Sequence, residues 1–105
     1  MIYPKSIFIC GKNWTIKKDE KLDCAGQASG NLVISINPTC IFSDAQMADT
    51  VLHECLEAIL MMSGASYTSD EGKEMFYAFN HDKFRNQICP EILSVVRQLK
   101  LKGFK

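Results

Sequence analysis

Thr50-Val51-Leu52-His53-Glu54-Cys55-Leu56-Glu57-Ala58-Ile59 decides how this chain is read. Its apolar residues recur at helical spacing, and on a helix residues three and four apart share a face. Working outward, Ser43 followed by Gln46 is a capping-box pattern and Asp44 puts negative charge in the first turn, so a helix starts there. Gly64 marks its end. Between those limits Met47, Ala48, Val51, Cys55, Ala58, Ile59 and Met62 fill one broad arc, continued by Leu52 and Leu56. The opposite arc holds Asp49, Thr50, His53 and Glu57, and Glu54 falls near the boundary between the two.

Upstream, residues 5–37 read as strands. Ser6 to Cys10 and Trp14 to Lys17 flank Gly11-Lys12-Asn13, a short glycine-containing turn that predicts a hairpin. Cys24 to Ser29 and Leu32 to Asn37 flank Gly30-Asn31, a second hairpin signal. Leu32, Ile34 and Ile36 alternate with Val33, Ser35 and Asn37, which sets one face on a core. Pro38 stops that strand because it cannot donate to a ladder.

Downstream, residues 65–72 are loop by composition, and Met75 to Phe79 is short, aromatic and strand-like. Asn80 then reads as an N-cap, with His81 and Asp82 in the first turn of a second helix. Phe84, Ile88, Ile92, Val95, Val96 and Leu99 give that helix its core face. Pro90 sits inside it and must kink or restart it. With no internal repeat or linker, residues 1–105 predict one α+β domain. Its small antiparallel sheet, two hairpins plus the later strand, packs on the central and C-terminal helices.

Composition narrows the function. The chain is 47% apolar and 23% charged with zero formal net charge, which describes an ordinary globular domain. No global field draws it to nucleic acid or to an anionic membrane. Arg97, Lys100, Lys102 and Lys105 gather at the end, where cations complement a helix C-terminus; contact with a polyanion is the alternative. The five cysteines, Cys10, Cys24, Cys40, Cys55 and Cys89, make no CxxC pair and leave an odd count. They suit reduced thiols in a cytoplasmic protein better than a disulfide framework. The N-terminus lacks a secretory pattern, and the strongly apolar run from Ala58 to Met62 is too short to cross a bilayer.

The central helix carries the chemistry. An imidazole at position 53 and a carboxylate at 57 stand one turn apart and can hold one divalent metal ion, with Glu54 beside them free to work on bound water. That is the mechanics of His-Glu-x-x-His zinc motifs with the second histidine exchanged for glutamate. His81, the other histidine of the chain, is the candidate third ligand. A helix N-terminus disfavours imidazolium, and only a neutral ring ligates metal. A solvated helix face accounts for His53 and Glu57 as well, and a surface or capping role for His81. Cys55 lies on the apolar arc and reads as packing. The aromatic run Phe76, Tyr77, Phe79 reads as core, since no basic residues interleave it for base stacking. Neither a phosphate loop nor a nucleophile elbow appears.

A small sheet, then Leu52-His53-Glu54-Cys55-Leu56-Glu57-Ala58-Ile59, then a strand and a closing helix, resembles the short phage- and prophage-encoded zincin-like proteins, distant relatives of the ImmA/IrrE-type metallopeptidases. Only the helix motif is specific. The resemblance implies a zinc-dependent hydrolase, a peptidase, with His53 as first ligand and Glu54 as general base. Glu57 departs from the usual second histidine, and Asn80-His81-Asp82-Lys83-Phe84 is similar to the family's post-strand histidine segment. The metal set implied is His53, Glu57 and His81 around zinc, with a protein or peptide substrate. Two other readings stand beside it. One is a catalytically degenerate zincin-like protein that binds a host protein as a phage accessory factor. The other is a nucleic-acid accessory, resting on the basic C-terminus alone.

Overall fold

The computed structural model describes residues 3–68 and 75–100. Ser6–Ile9 (β1) and Lys12–Lys18 (β2) pair antiparallel with Ile9 opposite Lys12. The turn is therefore Cys10-Gly11, both left-handed at φ 51° and 77°. Two-residue hairpin turns of that hand match the strand twist and favour glycine second, which places the turn earlier than Gly11-Lys12-Asn13. Gly26–Ser29 (β3) and Val33–Ile36 (β4) form the second hairpin across Gly30, Asn31 and Leu32, with Leu32 at φ 65°.

The two hairpins join through β2 and β4, which run parallel with Ile16 opposite Ile34, giving the order β1-β2-β4-β3. The sheet is thus mixed, where the sequence suggested an antiparallel one. Residues 19–25 must cross the end of β4 to reach the far edge, and Asn37 holds them there. Its side chain is buried, donates from Nδ2 to the Leu22 carbonyl at 2.8 Å, and accepts at Oδ1 from Thr39 N–H at 3.1 Å. The later strand does not join this sheet. Met75–Tyr77 (β6) pairs with Ser66–Thr68 (β5), inside a segment read as loop; residues 69–72 of that segment lie outside the described residues.

Helix α1 spans Asp44–Met62. Ser43 Oγ accepts from Gln46 N–H at 3.1 Å, and Gln46 Oε1 reaches back to Phe42 N–H at 2.6 Å. At the other end Gly64, at φ 70°, lets Ala65 N–H reach the Leu60 carbonyl and its own N–H reach Met61, a Schellman closure. Asn80 caps the next helix by accepting from Lys83 N–H at 2.8 Å. His81–Lys83 (α2) runs into a π-helical turn, Phe84–Ile88, and then into Cys89–Gln98 (α3). Pro90 lies in the first turn of α3, so the helix restarts at the proline. The wider turn before it absorbs the missing N–H and the clash with the preceding carbonyls. Lys83 Nζ donates to the Ser63 carbonyl at 2.7 Å, tying this segment to the end of α1. Of the basic C-terminal group, Arg97 lies in the last turn of α3, and Lys102 and Lys105 lie outside the described residues.

The core is a single layer of helix on one sheet face. Ile7, Ile9, Trp14, Ile16, Ile34 and Ile36 meet Val51, Cys55, Ala58 and Ile59 of α1 and Val95 and Leu99 from the C-terminal helix. The outer edge of β1 is closed by side chains. The Gln98 amide accepts from Phe8 N–H at 2.7 Å and donates to its carbonyl at 2.8 Å, and Glu91 accepts from Cys10 N–H at 2.9 Å. Among the described residues, no helix is long and apolar enough to cross a membrane.

Candidate metal centre

The β3–β4 ladder aims one backbone group at α1. Ala25 O accepts from Asn37 N–H, and pairing alternates from there, so the Ala28 N–H points away from β4. It donates to the Glu54 carboxyl. Gly26 lets the strand come this close. A Cβ there would stand 2.9 Å from Thr50 Cγ2 and 3.0 Å from Glu54 Cγ. Glu54 is therefore pinned between helix and strand, only 5% exposed.

Three donor groups converge at this point. His53 Nε2 lies 3.4 Å from Glu57 Oε1, and each of His53, Glu54 and Glu57 offers a ligand atom within 4.8 Å of the others. Glu54 and Glu57, one helical turn apart, share a hydrogen bond between carboxyls, which requires a proton on one of them. Burial first, then that proton sharing and the charge of Glu57, push the Glu54 carboxyl up to about 8; the Ala28 N–H pulls the other way. The same burial, with the Glu54 charge, raises the Cys55 thiol to about 12, so Cys55 packs in the core as read from the sequence.

His81 stands elsewhere. Its side chain is 82% exposed, its Nδ1 lies 4.0 Å from Asp82 Oδ1, and it is not part of the cluster. The structure thus brings together His53, Glu54 and Glu57 and leaves the third proposed ligand outside. Tyr77 comes in its place: its hydroxyl donates to Glu57 Oε1 at 3.1 Å. Burial, then the Glu57 and Glu54 charges, raise that phenol. Nothing in the linear sequence separates Tyr77 from the aromatic residues beside it, because its role depends on where β6 lies against α1.

The donor set fits a divalent ion. Two ligands each about 2.0–2.2 Å from one tetrahedral zinc stand about 3.3–3.6 Å apart, which matches the His53–Glu57 separation of 3.4 Å. A cation would also replace the shared proton, relieving two carboxyls crowded into a half-dry corner. The imidazole of His53 and the carboxylate of Glu57 suit zinc, and also manganese or iron, with the Glu54 carboxyl beside them. No family model, no curated protein and no solved structure matches this chain.

Proposed function

We propose that the chain is a metal-dependent hydrolase of the zincin-like kind, acting on peptide bonds in the cytoplasm, with zinc held by His53 and Glu57 and with Glu54 as the proton-handling group. The observation that carries this reading is the convergence of three donor groups, His53, Glu54 and Glu57, with ligand atoms within 4.8 Å of one another. When bound, a divalent ion supplies the charge that acidifies water and polarises a carbonyl. In this reading Glu54, held by the Ala28 N–H beside His53 and Glu57, takes a proton from water and returns it to the leaving amine. Tyr77 orients Glu57 through its hydroxyl. The His53-Glu54-Cys55-Leu56-Glu57 stretch, which resembles the zincin motif with its second histidine exchanged for glutamate, supports the same assignment.

The exposed position of His81 favours a second reading, a metal-holding protein that binds a host protein without turnover. One experiment separates the two. Zinc-loaded protein should cleave an unstructured polypeptide, losing activity to chelator. Glu54→Gln should keep its zinc and lose about a hundredfold in rate, the usual size of a missing general base. Stoichiometric zinc without cleavage selects the binding protein; no zinc uptake overturns both.

A further inference from the structure

The ridge of α1 that carries the metal centre runs on into an apolar recess of about 380 Å³. Leu56 and Leu60 form one wall, Phe84 and Ile88 of the π-helical turn and Ile92 of α3 the opposite wall, and Tyr77 stands between the recess and the site. Tyr77 is continuous with both, since the hydroxyl of this lining residue donates to Glu57. Helical geometry fixes the spacing: Leu60 follows Glu57 by about 4.5 Å along the axis, at 1.5 Å per residue. An extended peptide advances about 3.3 Å per residue. A chain whose carbonyl sits at His53 and Glu57 therefore sets a neighbouring side chain over the recess.

The chemistry of the recess selects that side chain. Among the described residues around it, Tyr77 alone brings a polar side-chain atom, and that hydroxyl is engaged by Glu57. An acidic or basic group entering it would lose its water without a partner. Its volume is at the small end of ligand cavities, room for one large side chain rather than an extended cofactor. Phe79 and Phe84, both exposed, stack at its mouth with ring centroids 5.6 Å apart and 13° between planes, an aromatic lip that would lengthen contact with an apolar occupant. The π-helical turn contributes here as well. It supplies buried Ile88 and exposed Phe84 to the lining, in a segment where Pro90 forbids a regular helix.

We infer that this recess receives a large apolar or aromatic side chain of a peptide, adjacent to the bond held at the metal centre, so that the substrates are peptides with such a residue. The inference rests on the hydrolase reading for the word substrate, and on the recess alone for the selectivity.

The test uses the full chain and four small probes, the N-acetyl amides of phenylalanine, leucine, aspartate and lysine, titrated by amide and methyl chemical shifts, with zinc uptake measured separately. The phenylalanine and leucine compounds should bind about ten- to a hundredfold more tightly than the charged ones, the yield of burying one such side chain. Shifts should centre on Leu60, Phe84 and Ile92. Ile92→Trp, which fills the recess, should lose that preference and keep its zinc. Equal binding of all four probes, shifts centred elsewhere, or a dimer in solution that buries the recess overturns the inference, and the first two outcomes need no variant. Zinc uptake without side-chain preference removes the recess and leaves the metal centre standing. Preference without zinc uptake keeps the recess as a site for apolar side chains and removes the hydrolase.

Discussion

His53 and His81 carry the same ring, each with a carboxylate within 4.0 Å, yet only one belongs to a site. His53 reaches Glu57 at 3.4 Å because four residues of one helix set that distance, and Glu54 is fixed behind them by Ala28 of β3. His81 starts a different segment. Its reach to the cluster depends on how α2 is anchored to α1, and the anchor is Lys83 on the Ser63 carbonyl, at the C-terminal end of α1. That tie holds α2 at the end of the helix, while its histidine faces solvent beside Asp82. Local spacing delivers ligands reliably; a ligand from a second element needs packing that spacing does not reveal.

The sharpest way to break this contrast is metal uptake. His53→Ala should lower zinc affinity a hundredfold or more, as removal of one of few ligands does, whereas His81→Ala should leave it within about twofold. Equilibrium dialysis with zinc, on protein free of a histidine tag, reads both. If His81→Ala alone abolishes binding, α2 moves onto α1 when metal arrives, and the contrast drawn between the two histidines fails.

Next in size is the pH dependence of the metal-free protein. Glu54 ordinarily titrates at 4.5 and in the fold at about 8. Between those values the folded state holds a proton that the unfolded chain has lost, so stability falls as pH rises, by up to about 1.4 kcal/mol per pH unit. Glu54→Gln mimics the protonated acid. Its Nε2 can donate to Glu57 and its Oε1 can accept from Ala28 N–H, so the variant should match wild type near pH 4.5 and exceed it progressively towards pH 8. Urea unfolding across that range measures it. Saturating zinc should reverse the wild-type slope, because binding the ion releases the proton. Parallel pH profiles for wild type and variant, without metal, would show that the two carboxyls do not share a proton.

How much of this was legible in the sequence follows the same division. The caps of α1, the centre of its apolar arc, both hairpins and the His53–Glu57 spacing depend on residues a few positions apart and are present, whereas Met62, read onto that arc, is exposed. The parallel join of β2 to β4 was not legible, because alternating apolar residues say which face is buried and nothing about which strand is neighbour. Asn37 decides it by holding the crossing segment, and a lone asparagine before Pro38 carries no such mark. Tyr77 was read as core for the same reason. Pro90 was legible as a break, and the π-helical turn is how the chain absorbs it.

Gly26 sharpens the comparison from the strand side. It carries no unusual φ; its role is clearance, with Thr50 Cγ2 at 2.9 Å and Glu54 Cγ at 3.0 Å from where a Cβ would be. Gly26→Ala should destabilise the fold by about 1–3 kcal/mol, the usual cost of overpacking, and should weaken zinc binding by pushing Glu54 and its ridge outward. A second alanine substitution at Gly30, where a Cβ meets nothing within 4 Å, serves as the control. Equal effects at the two glycines, in unfolding and in zinc affinity, would mean that β3 does not position Glu54.

The smallest effect expected is at Tyr77. Tyr77→Phe removes one hydroxyl from Glu57 and leaves the ring in place between site and recess. A single hydrogen bond to a charged acceptor is worth about 1.5–3 kcal/mol when buried, and this one is partly exposed, so a loss nearer 1 kcal/mol is expected. Without metal, that loss should appear as a small fall in stability in urea unfolding. With metal, zinc affinity should fall by only a few fold, because the ring no longer orients Glu57 but Glu57 still ligates. Selectivity for apolar side chains should be unchanged, since the lining it depends on is carbon. A hundredfold fall in zinc affinity would make Tyr77 a member of the metal centre in its own right, and an unchanged affinity would reduce it to a wall of the recess. Either result fixes how far the site extends beyond the one helix whose spacing announces it.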